Sequence, residues 1–237
     1  MKTKTIALVG AMDSEIVYIK KCLQENGKVK EKNINGFTFF EGKIENKKII
    51  LVKSGVGRCA SSILFTTMVT YYKNIDLVIN IGIAGGYKGM NPLDIVIGEK
   101  TVYGDVDISI FPSYVYGQMA SCPAYFEAPK DLIDKIIKSS VKCKVGCICT
   151  NEKFMTDYDL VKGLVDENFK DLNVLAFDME SAAFAQTAYH FNIPFISIRA
   201  ISDVIGDSKQ IEKYEDEFEE KASLQSNIFT MDLLKII

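Results

Sequence analysis

The 237-residue chain has a single histidine, His190. A Ser-His-Asp triad would have no other residue to serve as its base, and a zinc site built from several histidines is excluded. Acid–base chemistry therefore falls to carboxylates. Positive charge is not in excess: 28 Lys and Arg stand against 31 Asp and Glu, and no basic stripe is visible. That argues against nucleic acid as a partner. No uncharged apolar run approaches the roughly 18 residues of a membrane span, so no membrane contact is expected. The N-terminal MKTKTIALVGAMDSE holds only a short apolar run with acids directly after it, and reads as a first strand rather than a signal peptide. Six cysteines in a chain of this size, without a secretory signal, predict a reducing, cytoplasmic setting.

What is present is the composition of a globular protein. Apolar residues make up 48% and charged residues 25%, and the chain can bury a core without a disulfide or metal staple. Strand-like and helix-like segments alternate. Thr5 to Val9, Asp76 to Ile81, Leu93 to Val102, Lys142 to Cys149, Val174 to Phe177 and Phe195 to Ile201 read as strands. Residues 13–24, Gly57 to Tyr72, Pro129 to Ser140, Asp159 to Phe169, Ser181 to Phe191 and Glu215 to the end read as helices. Phe37 to Ile44 and Lys48 to Val52, around Glu45-Asn46-Lys47, predict a hairpin, and hence a mixed sheet. Residues 104–128 are irregular, which in a compact domain marks a functional segment or a partner contact. With no linker or repeat, residues 1–237 are expected to form one α/β domain. Ligands of such sheets collect beyond the carboxyl ends of the strands.

Several residues sit there. Glu15 follows the first strand, where Asp13 or Ser14 capping a helix would make it a simple dipole partner. Gly55-Val56-Gly57 lacks the further residues of a dinucleotide fingerprint or a P-loop; Arg58 after it would meet an anion or be solvated. Gly82-Ile83-Ala84-Gly85-Gly86 fits close backbone approach to a ligand, or a tight turn closing its strand. Asp178 and Glu180 open an apolar helix, where a carboxylate needs partners or a task. Arg199 lies inside an apolar strand and must be paired or face a polar site. Strict alternation would put Arg199, Ile201 and Asp203 on one face. Cys143, Cys147 and Cys149 read as small apolar packing residues, and His190 as structural. Tyr103, Tyr114, Tyr116, Tyr125, Phe111 and Phe126 suit either a pocket or a subunit interface.

Val9-Gly-Ala-Met-Asp-Ser-Glu15, Lys53-Ser-Gly-Val-Gly-Arg58, Asn80-Ile-Gly-Ile-Ala-Gly-Gly86, Asp178-Met-Glu-Ser-Ala182 and Arg199-Ala-Ile-Ser-Asp203 match, in order, the motifs of the 5′-methylthioadenosine/S-adenosylhomocysteine nucleosidases. Tyr116-Gly-Gln118 and Cys122-Pro-Ala124 extend the resemblance along nearly the whole chain. It implies a purine/uridine phosphorylase-like α/β fold, a three-layer sandwich with a central mixed β-sheet, usually a homodimer. It further implies hydrolysis of the N-glycosidic bond of methylthioadenosine or S-adenosylhomocysteine to adenine and a thioribose, without cofactor or metal. By motif match, Asp203 would protonate adenine N7, Glu15 would activate water, and Glu180 with the Met179 backbone would hold the ribose hydroxyls. Arg199 would orient the carboxylates. Phe154 would stack on adenine and the Met155 backbone would read the base edge. Met12, Val56, Tyr214 and Phe111 from the partner subunit would surround the 5′-thio group. Ala84, Gly85, Asp178 and Ser202 complete the expected substrate contacts.

Three departures stand out. Thr150-Asn151-Glu152-Lys153 precedes Phe154 where the family usually has Ser-Gly-Asp, Asp178 replaces a Glu, and Ile83 replaces a Ser common in relatives. Phosphorolysis, hydrolysis of another nucleoside such as an aminofutalosine, and a non-catalytic nucleoside-binding protein are the alternative readings.

Overall fold

The computed structural model describes residues 3–237. In chain order its elements are β1 (Thr5–Gly10), α1 (Val17–Glu25), β2 (Lys30–Ile34), β3 (Phe37–Ile44), β4 (Lys47–Lys53), α2 (Arg58–Tyr71), β5 (Leu77–Gly86), β6 (Ile95–Tyr103) and β7 (Phe126–Glu127). There follow α3 (Lys130–Lys138), β8 (Lys144–Thr150), α4 (Tyr158–Asn168), β9 (Val174–Asp178), α5 (Ser181–Phe191), β10 (Phe195–Val204), α6 (Gln210–Lys213), a π-helical turn (Tyr214–Phe218) and α7 (Glu219–Ile236).

The strands form one mixed sheet in the order β10-β6-β8-β9-β5-β1-β4-β3-β2, with β7 on β6. β1, β4, β5 and β10 are mutually parallel, so their carboxyl ends share one edge. β10 pairs with β5 as well as β6, and β9 returns to β5, so β5, β10, β6, β8 and β9 close into a ring. The hairpin between β3 and β4 turns at Glu45 and Asn46, both with positive φ. β2, which the sequence reading omits, is an edge strand on β3 with no buried position, and so carries no apolar signature.

Helices cover both faces, giving three layers. Ile19, Leu23, Leu132, Ile136, Phe229 and Leu233 of α1, α3 and α7 pack on one face against Ile6, Leu8, Ile79, Ile81, Ile196 and Ile198. Leu64, Phe65 and Met68 of α2 and Phe184, Ala185 and Ala188 of α5 pack on the other against Ala7, Val9, Ile50 and Val78. Val161 and Val165 of α4 close a further cluster with Cys147, Cys149 and Val102, where both thiols act as small apolar side chains. Burying one leucine-sized side chain contributes about 1.5–3 kcal/mol, so these layers hold the strand ends rigidly in place.

Two local expectations are corrected. The first helix begins at Val17, not residue 13, and has no side-chain cap. Asp13 instead pairs with Lys53 at 2.7 Å, and Ser14 Oγ donates to Glu219 at 3.2 Å. The glycines 82–86 do not close β5 as a turn; the strand runs through them to Gly86. Among the described residues no helix is long and apolar enough to cross a membrane.

Candidate active site

Residues 13–16 form a turn because Glu15 is drawn inward. Its Oε2 accepts from the backbone N–H of Ala11 (2.6 Å) and Met12 (3.0 Å), and its Oε1 from Ile83 N–H (3.0 Å). The side chain is buried and precedes the helix, so the dipole-partner reading does not hold. Gly82 makes room for it: a Cβ there would lie 2.9 Å from Glu15 Cδ and 3.1 Å from Arg199 Nη1. Burial pushes the Glu15 carboxyl above its ordinary value, against the Arg199 charge and the three N–H donors. The carboxyl that the resemblance assigns to activating water thus sits with its proton affinity raised.

Arg199 is fully buried, and its partners explain why. Its Nε and Nη2 donate to Asp178 Oδ2 at 3.0 and 2.7 Å, and Nη2 also reaches Ser181 Oγ (3.1 Å) and Asn80 Oδ1. Glu180 Oε2 lies 3.8 Å away. Asp178 further accepts from Thr150 Oγ1 (2.5 Å) and Ser181 N–H (3.1 Å), so both its oxygens are engaged. Glu180 has fewer partners: Gly57 N–H, at the start of α2, donates to its Oε1 at 2.9 Å. Burial raises the Glu180 pKa, the charges of Asp178 and Glu15 add to the rise, and Arg199 and the Gly57 N–H oppose it.

Asp203 reaches the site by a β-bulge. Along β10 and β5, Arg199 pairs with Gly82 and Ile201 with Ala84, but Asp203 pairs with Gly85. Ser202 is the extra residue, so Asp203 turns to the face opposite Arg199 and Ile201. This corrects the one-face expectation: a Cβ on Gly85 would meet Asp203 Oδ2, whereas one on Gly86 would meet Ile201. Ser202 Oγ donates to Asp203 Oδ1 at 2.6 Å, and Gln210 Nε2 to its Oδ2 at 2.6 Å. Burial raises the Asp203 pKa and these two bonds partly offset the rise.

Glu15, Glu180 and Asp203 line a single cavity of about 210 Å³. Met12, Val56, Ala84, Gly85, Phe154, Met155, Asp178, Met179, Ser202 and Tyr214 share its walls, together with Ala11, Ile83, Lys153 and Phe177. Phe154 and Tyr214 meet edge to face, ring centres 5.4 Å apart. Arg199, expected to orient the carboxylates and to contact substrate, is corrected only in the second respect: it stands behind Asp178 and Glu180 as their counter-charge rather than in the wall. Phe111 lies outside this cavity on the irregular 104–128 segment, 59% exposed. Arg58, at the start of α2 and partly exposed, is paired rather than free for an anion. Its two terminal nitrogens grip Asp105 at 2.7 and 3.0 Å, and its Nε donates to Glu152.

Gln210 is the polar residue that sequence reasoning missed, while Asn80, Thr150 and Ser181 lay in the quoted segments with no role assigned. All four are uncharged, and a distant partner reveals the role of Asn80 (Arg199, 119 positions away), Thr150 (Asp178, 28) and Gln210 (Met155, 55). Among the described residues no cluster of His, Cys, Asp or Glu is arranged to hold a metal ion.

The model of the phosphorylase superfamily matches residues 5–235. The 5′-methylthioadenosine/S-adenosylhomocysteine nucleosidase of Listeria welshimeri is 36% identical, over 98% of this chain and all of the relative. That of Bacillus licheniformis is 34% identical, over 98% and 99%. Among solved structures, the Neisseria meningitidis nucleosidase in complex with methylthio-immucillin-A superimposes with a TM-score of 0.88 at 31% identity, covering 99% of this chain and 100% of that one. The Streptococcus pneumoniae nucleosidase with a transition-state inhibitor gives 0.88 at 32% identity, covering 98% and 99%.

Proposed function

The chain belongs to the phosphorylase superfamily and, within it, to the 5′-methylthioadenosine/S-adenosylhomocysteine nucleosidases, a family of N-glycosyl hydrolases; on that premise we propose that it cleaves methylthioadenosine and S-adenosylhomocysteine to adenine and a thioribose. Asp203 donates a proton to N7 as the bond between N9 and C1′ breaks. Glu15 takes a proton from the water that attacks C1′. Glu180 holds the ribose hydroxyls and, in its ionised form, favours the cationic sugar. The raised pKa values of Asp203 and Glu15 suit both tasks, since an acid and a base work best near the operating pH. The apolar wall of Met12, Val56, Phe154 and Tyr214 suits a base and a thioalkyl tail.

One observation carries the choice of hydrolysis over phosphorolysis. Three backbone N–H groups, those of Ala11, Met12 and Ile83, converge where an anion would bind, and the Glu15 carboxylate already takes all three. A phosphate there would meet a like charge and find its donors used. Phe111 completes the 5′ end of the site from a second subunit of a homodimer. Its exposure beside Ile110 (85%) and Val115 (55%) supports that placement.

Adenine release from a panel of 5′-substituted adenosines, with and without phosphate, tests the reading. Release independent of phosphate, and lowered by about 10²–10⁴-fold in Asp203→Asn, is expected. A rate that requires phosphate would make the enzyme a phosphorylase, and an unchanged rate in Asp203→Asn would remove the assigned acid.

A further inference from the structure

Gln210 lies outside every motif shared with the family, yet its carboxamide is fully engaged at the site. Nε2 donates to Asp203 Oδ2 at 2.6 Å and to the Met155 carbonyl at 2.8 Å, while Oε1 accepts from Gly206 N–H at 3.1 Å. A single NH₂ group therefore bridges two acceptors that both border the cavity. On the reading above, those acceptors face the base. Adenine carries N7 and its 6-amino group on one edge, so a carboxyl that protonates N7 has an oxygen beside that amine. The amine has two hydrogens, as the Gln210 amide has.

We infer that the Gln210 amide and the 6-amino group of adenine are alternative occupants of the Asp203–Met155 acceptor pair, and that Gln210 gives way as the base enters. Gln210 thereby acts as a positioning residue. It keeps the carboxylate and the carbonyl at the spacing an exocyclic amine requires, and it makes base entry coincide with movement of its own segment. One further observation supports exchange. Gln210 opens the four-residue α6, which runs directly into the π-helical turn that starts at the wall residue Tyr214. Such irregular helical turns have weak internal support and occur often at functional sites. Release of Gln210 would free Tyr214 to shift with it.

This inference rests on the adenine-site reading, and the test separates the two. Adenine binding is measured by calorimetry on wild type, Gln210→Leu and Gln210→Asn, and the wild-type adenine complex is crystallised. Gln210→Leu removes the competing donor and Gln210→Asn withdraws it by one methylene, so adenine should bind about fivefold tighter or more, the worth of one net hydrogen bond. KM for methylthioadenosine should fall in step, with a smaller change in kcat. In the complex, Gln210 Nε2 should have left both acceptors and the adenine amine should have replaced it. Equal or weaker adenine binding by both variants would overturn the exchange. So would a complex with Gln210 still on Asp203, a result that holds even where a variant fails to fold. Wild type that binds no adenine would overturn the site reading itself.

Discussion

Replacing Arg199 by Met tests how the carboxylate cluster is held. The guanidinium makes two bonds to Asp178, further bonds to Asn80 and Ser181, and sits 3.8 Å from Glu180 Oε2. Methionine keeps most of the volume and removes the positive charge bonded to Asp178 and facing Glu180. At an effective dielectric near 20, one pair at such a distance is worth about 4 kcal/mol. Both acids then shed part of that loss by binding protons. Breaking a buried pair from one side costs about 3–5 kcal/mol, a large share of the roughly 5–15 kcal/mol of a whole domain. The urea midpoint of Arg199→Met should fall accordingly. Since Arg199 lowers the proton affinity of both Glu15 and Glu180, its loss should also move the acidic limb of the kcat profile to higher pH. Arg199→Lys should rescue poorly, because a point charge cannot reproduce the two bonds to Asp178. Adding Asp178→Asn to Arg199→Met removes the orphaned charge and should return about 1–2 kcal/mol. A destabilisation below about 1 kcal/mol, with no change in the pH profile, would refute the counter-charge argument.

The same raised acids set a pH dependence of stability. Glu15, Glu180 and Asp203 all have pKa values above their unfolded ones, Glu180 reaching about 8. The native state therefore binds more protons than the unfolded chain above the ordinary carboxylate range. The stability from these groups is complete below that range and is lost as pH rises through the folded values. The urea midpoint should drop between about pH 5 and about pH 8, and Glu180→Gln should flatten the drop; a rising midpoint would contradict it. Gly82→Ala should cut kcat on the order of 100-fold, because its Cβ would displace Glu15 from its three donors. Circular dichroism should show the fold retained, with about 1–3 kcal/mol lost to overpacking. Full activity in that variant would show that Glu15 need not occupy this position.

Much of the fold was legible because its signal is local. The βα alternation, the β3–β4 hairpin and the start of α5 at Ser181 follow from runs of apolar residues and their spacing. Edge strand β2 was not legible, since a strand with no buried face leaves no pattern. For the site, the count of one histidine and the ordered motifs pointed to Glu15, Glu180 and Asp203, and these three border one cavity.

What the sequence determined by itself was chemistry: carboxylates as the acid–base groups, a mixed α/β sheet, and glycines at 82, 85 and 86 wherever backbone had to admit another group. Only the tertiary structure decided direction. The bulge at Ser202 reverses the face of Asp203, Glu15 leaves its expected helix for three N–H donors, and Arg199 withdraws behind the wall. The reason is physical. A residue type fixes which bonds a side chain can make, but deciding partners such as Ile83 for Glu15, 68 positions away, and Asn80 for Arg199, 119 away, meet only after strands are in register. Gln210 shows the limit most plainly: one amide in a polar stretch becomes the bridge between Asp203 and Met155 only when α6 folds over the strand ends.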